Sequence, residues 1–137
     1  MVRDIVKDEA FLGQKSEAAT REDIPLAADL LDTLKAHAHH CVGLAANMIG
    51  AKKRIIAVQA RDGYLAMLNP EIVKKSARQY EAVEGCLSLA GERKTMRHDW
   101  VEVKYRNIDF KKERKKFSGF AAQIIQHEID HCNGILI

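Results

Sequence analysis

The segment His127-Glu128-Ile129-Asp130-His131 carries residue types and spacing suited to metal chemistry. Two histidines four residues apart lie on one face of a helix, one turn apart, so both imidazoles can meet a single ion. Glu128 can reach a water on that ion without being a ligand, which makes it a natural general base. The plain alternative is a polar, solvated turn at the end of an amphipathic helix. A catalytic site of this kind takes three protein ligands and leaves a fourth position open. Only six residues follow His131, and none is acidic, so the third ligand must come from upstream. Glu84-Gly85-Cys86-Leu87-Ser88 is the best source, a thiol beside a flexible glycine. Alone, Cys86 reads as a buried structural cysteine; beside a two-histidine motif short of a ligand, it reads as the missing thiolate.

Several elements must position these groups. Ser118-Gly119 opens the last helix, with Ser118 able to cap it and Gly134 placed to end it. Phe120, Ile124, His127 and His131 fall on one stripe of that helix. Its apolar half is either simple core packing or the wall of a hydrophobic substrate pocket. An amphipathic helix is expected from about residue 25 to 39, with Leu26, Ala27, Leu30, Leu31, Leu34 and Ala38 on its apolar side. His37, His39 and His40 at its end read as surface residues, with a second metal site as the minor reading. The small residues of Cys41 to Gly50 allow close backbone approach to a ligand or a packed strand, and lack the pattern of a phosphate loop.

Arg54 to Ala60 and Tyr64 to Leu68 read as a hairpin turning at Asp62-Gly63 and stopped by Asn69-Pro70. Glu71 to Lys75 and Gln79 to Val83 are further short strands. Val101 to Arg106 alternates, so one face is buried. Residues 1–20 give only a weak signal. The basic run Lys111 to Lys116 reads as a solvated loop, with a ribosome or RNA contact as the alternative. Short strands followed by a helix give one α+β domain over residues 1–137, a common single-domain size.

Hydrophobic content of 47% with 30% charged residues is that of an ordinary soluble protein. The net charge of +3, from 22 basic and 19 acidic side chains, neither demands nor excludes an anionic partner. A nucleic-acid binder would cluster its basic residues with aromatics, and no DNA partner is expected. The N-terminus has no apolar leader and no stretch reaches membrane-span length, so a cytoplasmic protein without membrane contact is expected. Cys41, Cys86 and Cys132 form an odd set without paired spacing, which favours free thiols or a metal ligand over disulfides.

With these residues in view, the chain resembles the peptide deformylase family. That family carries a G-x-G-x-A-A-x-Q loop, E-G-C-L-S and H-E-x-D-H in order. Here Cys41-x-Gly43-x-Ala45-Ala46-x-Met48, Glu84-Gly85-Cys86-Leu87-Ser88 and His127-Glu128-Ile129-Asp130-His131 stand in the same order, and the likeness runs over essentially the whole chain. Arg54 to Val58 and Asn69-Pro70-Glu71 are also like family members. The resemblance implies antiparallel β-sheets packed around a central C-terminal helix bearing H-E-x-x-H, plus an N-terminal amphipathic helix. It implies removal of the formyl group from formyl-methionyl peptides or nascent chains, with transient ribosome contact. It implies one divalent ion held by Cys86, His127 and His131: Fe(2+) first, with Zn(2+), Ni(2+) or Co(2+) able to replace it. Glu128 would be the acid–base, the Leu87 backbone N–H and Gly43 would serve the reacting carbonyl, and Phe120, Ile124, Val42 and Leu44 would form the substrate pocket. Asp130 and Glu84 would be framework residues.

The chain also departs from the pattern. Met48 stands in place of the glutamine that donates to the developing oxyanion, and a thioether has no N–H to offer. Cys41 replaces the first glycine of the loop, Ala90 a common proline, and the chain stops soon after the motif helix. A slower deformylase leads; a silent deformylase-like metal-binding protein follows; a small zinc peptidase is disfavoured because its usual glutamate ligand is missing.

Overall fold

The computed structural model describes residues 1–60 and 63–137. Its centre is an antiparallel sheet of β1 (Gly43–Ala45), β2 (Ile55–Ala60), β3 (Gly63–Lys75), β6 (Trp100–Arg106) and β7 (Lys112–Ser118), in the order β1-β2-β3-β6-β7. A separate hairpin pairs β4 (Gln79–Cys86) with β5 (Leu89–His98). Three α-helices complete the chain: α1 (Glu9–Leu12), α2 (Ile24–Ala36) and α3 (Gly119–Cys132). The α+β expectation, with a C-terminal helix carrying the histidines and an N-terminal helix, agrees with this architecture.

Ile55, Ile56, Ala57 and Val58 are all buried, so β2 is covered on both faces. Helix α2 packs on one side of β2 and β3, and α3 packs against β1, β2 and the hairpin strand β5. The ammonium of Lys35 on α2 lies 5.5 Å from the Tyr64 ring centre, which marks the face α2 occupies. Register then assigns the rest. Gln59, Ala57 and Ile55 pair with Tyr64, Ala66 and Leu68 on the α2 side, while Ile56 and Val58 pair with Met67 and Leu65 on the α3 side. Val101, Val103 and Tyr105 of β6 are buried as their alternation predicts.

Several expectations change. Asn69-Pro70 does not stop the strand: β3 runs through it with a register shift between Leu68 and Glu71. Asn69 takes φ +54° there and its side chain brackets Ala19, accepting from its N–H at 2.7 Å and donating to its carbonyl at 2.9 Å. Such a bulge accommodates a proline that cannot donate to the ladder. The run from Lys111 is not a loop; from Lys112 on it forms the edge strand β7, paired along β6. Helix α2 ends at Ala36 rather than near residue 39. Ser118 sits at the N-cap of α3, but its hydroxyl makes no capping bond. Gly134 does end the helix, at φ +77°, and a Cβ there would lie 2.6 Å from the Gly13 carbonyl oxygen. Asp62 of the expected turn lies outside the described residues. No helix among the described residues is long and apolar enough to cross a membrane.

Candidate metal centre

Helix α3 carries His127 and His131 one turn apart, and their Nε2 atoms face each other at 3.0 Å. Strand β4 ends at Cys86, whose Sγ lies 3.5 Å from His131 Nε2. The three ligand atoms lie within 4.8 Å of one another and form the single metal-competent group of this kind among the described residues. A tetrahedral ion about 2.0–2.1 Å from nitrogen and 2.3 Å from sulfur sets ligand–ligand edges of roughly 3.3–3.6 Å. The donor set fits such an ion, and sulfur with two imidazoles suits iron, zinc, cobalt or nickel. The histidines His37, His39 and His40 form no comparable group.

The outer nitrogens and carboxylates are arranged around this triad. His127 Nδ1 lies 2.8 Å from Glu84 Oε1, which fixes the ring so that Nε2 faces inward. Arg97 on β5 donates to both oxygens of Glu84 at 2.6 to 3.2 Å, and to Asp130 Oδ2 at 2.6 Å. Burial works to raise the Glu84 carboxyl, but the hydrogen bonds from His127 and Arg97 outweigh it and hold it at about 2. Burial also lowers His127, yet hydrogen bonds with Cys86 and Glu84 lift it to about 10. Burial, and then the charge of His127, depress His131 to about 3. Asn47 adds a further tie, donating to the His131 carbonyl at 3.0 Å.

Glu128 is 4% exposed, and its Oε1 has no hydrogen-bond partner among the described residues. Burial raises its carboxyl to about 7, against the pull of His127. A buried carboxylic acid poised near neutrality is suited to moving a proton. Gly43 makes room for it: a Cβ there would lie 2.9 Å from Glu128 Oε2 and 2.7 Å from Ile124 Cγ2. The close approach along Cys41 to Gly50 is here to side chains of α3, where a ligand or a packed strand was expected.

A cavity of about 420 Å³ opens at this point, lined by Cys41, Val42, Gly43, Met48, Leu87, Phe120, Ile124 and Glu128 among others. Phe120, 60% exposed, stands at its rim. Leu44 does not line it. It is fully buried in the core, as strand alternation turns it away from the side its neighbour Gly43 presents. Met48 is 1% exposed and its Sδ accepts from the Ala45 N–H at 3.5 Å. The side chain thus turns its sulfur to the loop backbone and has no N–H to offer. The three cysteines are free, and burial pushes the Cys41 and Cys132 thiols up to about 12.

Arg97 and Asn47 were not singled out by the sequence. Arg97 sits in Glu92-Arg93-Lys94-Thr95-Met96-Arg97-His98, where four of the residues are charged and nothing marks one arginine as buried. Asn47 lies in the small-residue loop already flagged for close packing, and its carboxamide was the one polar signal there.

A cysteine, two imidazoles and a buried carboxyl on one helix and one hairpin are the groups a metal-dependent hydrolase uses. The chain belongs to the polypeptide deformylase family, whose model matches residues 2–137. A peptide deformylase of Clostridium beijerinckii is 54% identical over 137 residues, covering 100% of both chains. A class I type b peptide deformylase of Acinetobacter baumannii with Met-Ala-Ser bound superposes with a TM-score of 0.88 at 30% identity, over 99% of this chain and 97% of that one. The same Acinetobacter enzyme bound to actinonin gives 0.88 at 32% identity, over 99% and 95%. The family removes N-formyl groups from nascent peptides, and its members are hydrolases.

Proposed function

We propose that this chain deformylates formyl-methionyl peptides at a Cys86–His127–His131 centre, at a rate lowered by Met48. The observation that carries the reading is the convergence of those three ligand atoms beside the unpartnered carboxyl of Glu128. Fe(2+) is the first choice of ion, and Zn(2+), Ni(2+) and Co(2+) meet the same donors. When bound, the ion would supply Lewis acidity, which lowers the pKa of water from about 15.7 toward 7. Glu128 takes the proton of the attacking water and returns it to the amine nitrogen as formate leaves. Glu84 holds His127 in one tautomer throughout. The Leu87 backbone N–H faces the carbonyl oxygen as charge develops there, and Gly43 leaves room for the formyl group beside Glu128. Phe120, Ile124 and Val42 receive the methionine side chain; the bound Met-Ala-Ser of the Acinetobacter enzyme supports a peptide in the corresponding cavity. Acting on nascent chains, the protein would work in the cytoplasm, in transient contact with the ribosome.

Met48 removes one oxyanion donor, a change that costs on the order of 10²–10³ in rate where such donors have been deleted. Formate release from formyl-Met-Ala-Ser by metal-replete protein is the test. Met48→Gln is expected to raise the rate at least tenfold and Glu128→Ala to abolish it. An unchanged background rate in both variants would instead indicate a silent metal-binding relative, and cleavage at internal peptide bonds a peptidase.

A further inference from the structure

The basic run that reads as a solvated loop in sequence is one edge of an ordered, one-sided surface. Lys112, Arg114 and Lys116 of β7 lie opposite Arg106, Lys104 and Glu102 of β6, so these side chains share a face. Register carries that face on to β3, where Glu71 and Lys74 lie opposite Lys104 and Glu102. It is the α2 side of the sheet, but α2 packs over β2 and β3 and leaves β6 and β7 open. Six cations thus stand against two carboxylates, in a protein whose whole net charge is +3.

Aromatic rings are interleaved with these cations, an arrangement no single stretch of sequence displays. The Lys116 ammonium lies 4.2 Å from the Trp100 ring centre. The guanidiniums of Arg106 and Arg21 lie 5.0 and 5.5 Å from that of Phe110, and Arg106 also donates to the Phe110 carbonyl at 3.0 Å. The cations are therefore partly preorganised on a rigid sheet rather than spread along a loose segment.

We propose that the open face of β6 and β7 is a docking surface for the phosphodiester backbone of RNA. Charge on an edge strand also keeps it from pairing with another chain. That role needs no alignment on one face, and it gives no purpose to Lys104 and Arg106, which stand on an interior strand. An anionic bilayer is the weaker fit: stable surface binding adds apolar burial to charge, and of the exposed large apolar residues only Ile108, in the β6–β7 turn, adjoins the face. The inference gives a surface to the ribosome contact proposed above and rests on that reading only for where RNA is met. Peptide deformylation is assayed separately, so either can fail alone.

The experiment titrates a fluorescent 20-nucleotide single-stranded RNA into the full-length, metal-replete protein between 50 and 200 mM salt. About four phosphate contacts give a slope of log K against log salt near −3. Lys112→Gln and Lys116→Gln are each expected to reduce that slope by about 0.7. Lys115→Gln, on the same strand but the opposite face, is expected to change it far less, and all three variants keep wild-type formate release. Edge protection alone would make the Lys115 and Lys116 variants alike in RNA binding and in solubility. The proposal is overturned by equal effects at Lys115 and Lys116, by binding without salt dependence or no binding at 50 mM salt, or by capture on phosphatidylserine vesicles in preference to RNA.

Discussion

At the residue scale, the site turns on how burial and hydrogen bonding divide charge among groups a few ångströms apart. Glu128 illustrates the sign. Its carboxyl titrates near 7 in the fold against 4.5 in the unfolded chain. The folded state therefore binds the proton more tightly, and stability falls as pH rises from about 4.5 to 7. For metal-free protein, Glu128→Gln should be neutral near pH 4.5 and stabilising at pH 8 by about 3 kcal/mol. Urea unfolding at the two pH values checks this. Arg97 works the other way. It is 4% exposed and holds two carboxylates, so Arg97→Met strands Glu84 and should cost roughly 3–5 kcal/mol. Glu84→Gln, which keeps the shape but weakens the hold on His127, should reduce metal affinity by about 10–100-fold in a competitive chelator titration. The two histidines and Glu128 are legible because local helical spacing sets them, and Cys86 because a two-histidine motif without an acidic residue after it needs a ligand from upstream. Arg97 is not, since its partners lie 13 and 33 residues away.

At the element scale, one helix and one strand end suffice to bring the ligands together, and the loop from Cys41 to Gly50 closes against them. Gly43 is the tightest point of that closure. Gly43→Ala forces Ile124 or Glu128 to move, with an overpacking cost of about 1–3 kcal/mol. We expect formate release to fall at least tenfold while thermal unfolding shifts by only several degrees, measured on one preparation. Sequence patterns read the β7 run as a loop and mark no element over β5, residues Leu89–His98. The latter is a strand because pairing with β4 satisfies its backbone, and because Arg97 is held by groups on β4 and α3. The break expected at Asn69-Pro70 failed for a similar reason. The Asn69 carboxamide bonds to Ala19, 50 residues away, and stabilises a bulge that local rules read as a stop.

At the scale of the whole molecule, the antiparallel layers wrap the site so that two sides of the sheet serve different ends. The α3 side holds the buried site, and the α2 side beyond β3 is open and cationic. A metal bound only by the folded arrangement stabilises it by mass action, by about 4 kcal/mol at a thousandfold excess over Kd. Stripping the ion with a chelator should therefore lower the unfolding temperature, and adding back Zn(2+) or Fe(2+) should restore it; Cys86→Ser should show a much smaller shift. The α+β class and the histidine helix follow from local strand patterns, end signals and motif spacing, whereas the sidedness of the sheet depends on strand register, which no single segment encodes.

The central claim is that one sulfur and two imidazole nitrogens hold a single divalent ion. X-ray absorption at the metal edge of stoichiometrically loaded protein tests it directly. The account predicts one sulfur at about 2.3 Å and two nitrogens at about 2.0–2.1 Å, with the sulfur lost in Cys86→Ser. A shell of nitrogen and oxygen alone, the same in the wild-type protein and Cys86→Ser, would contradict it.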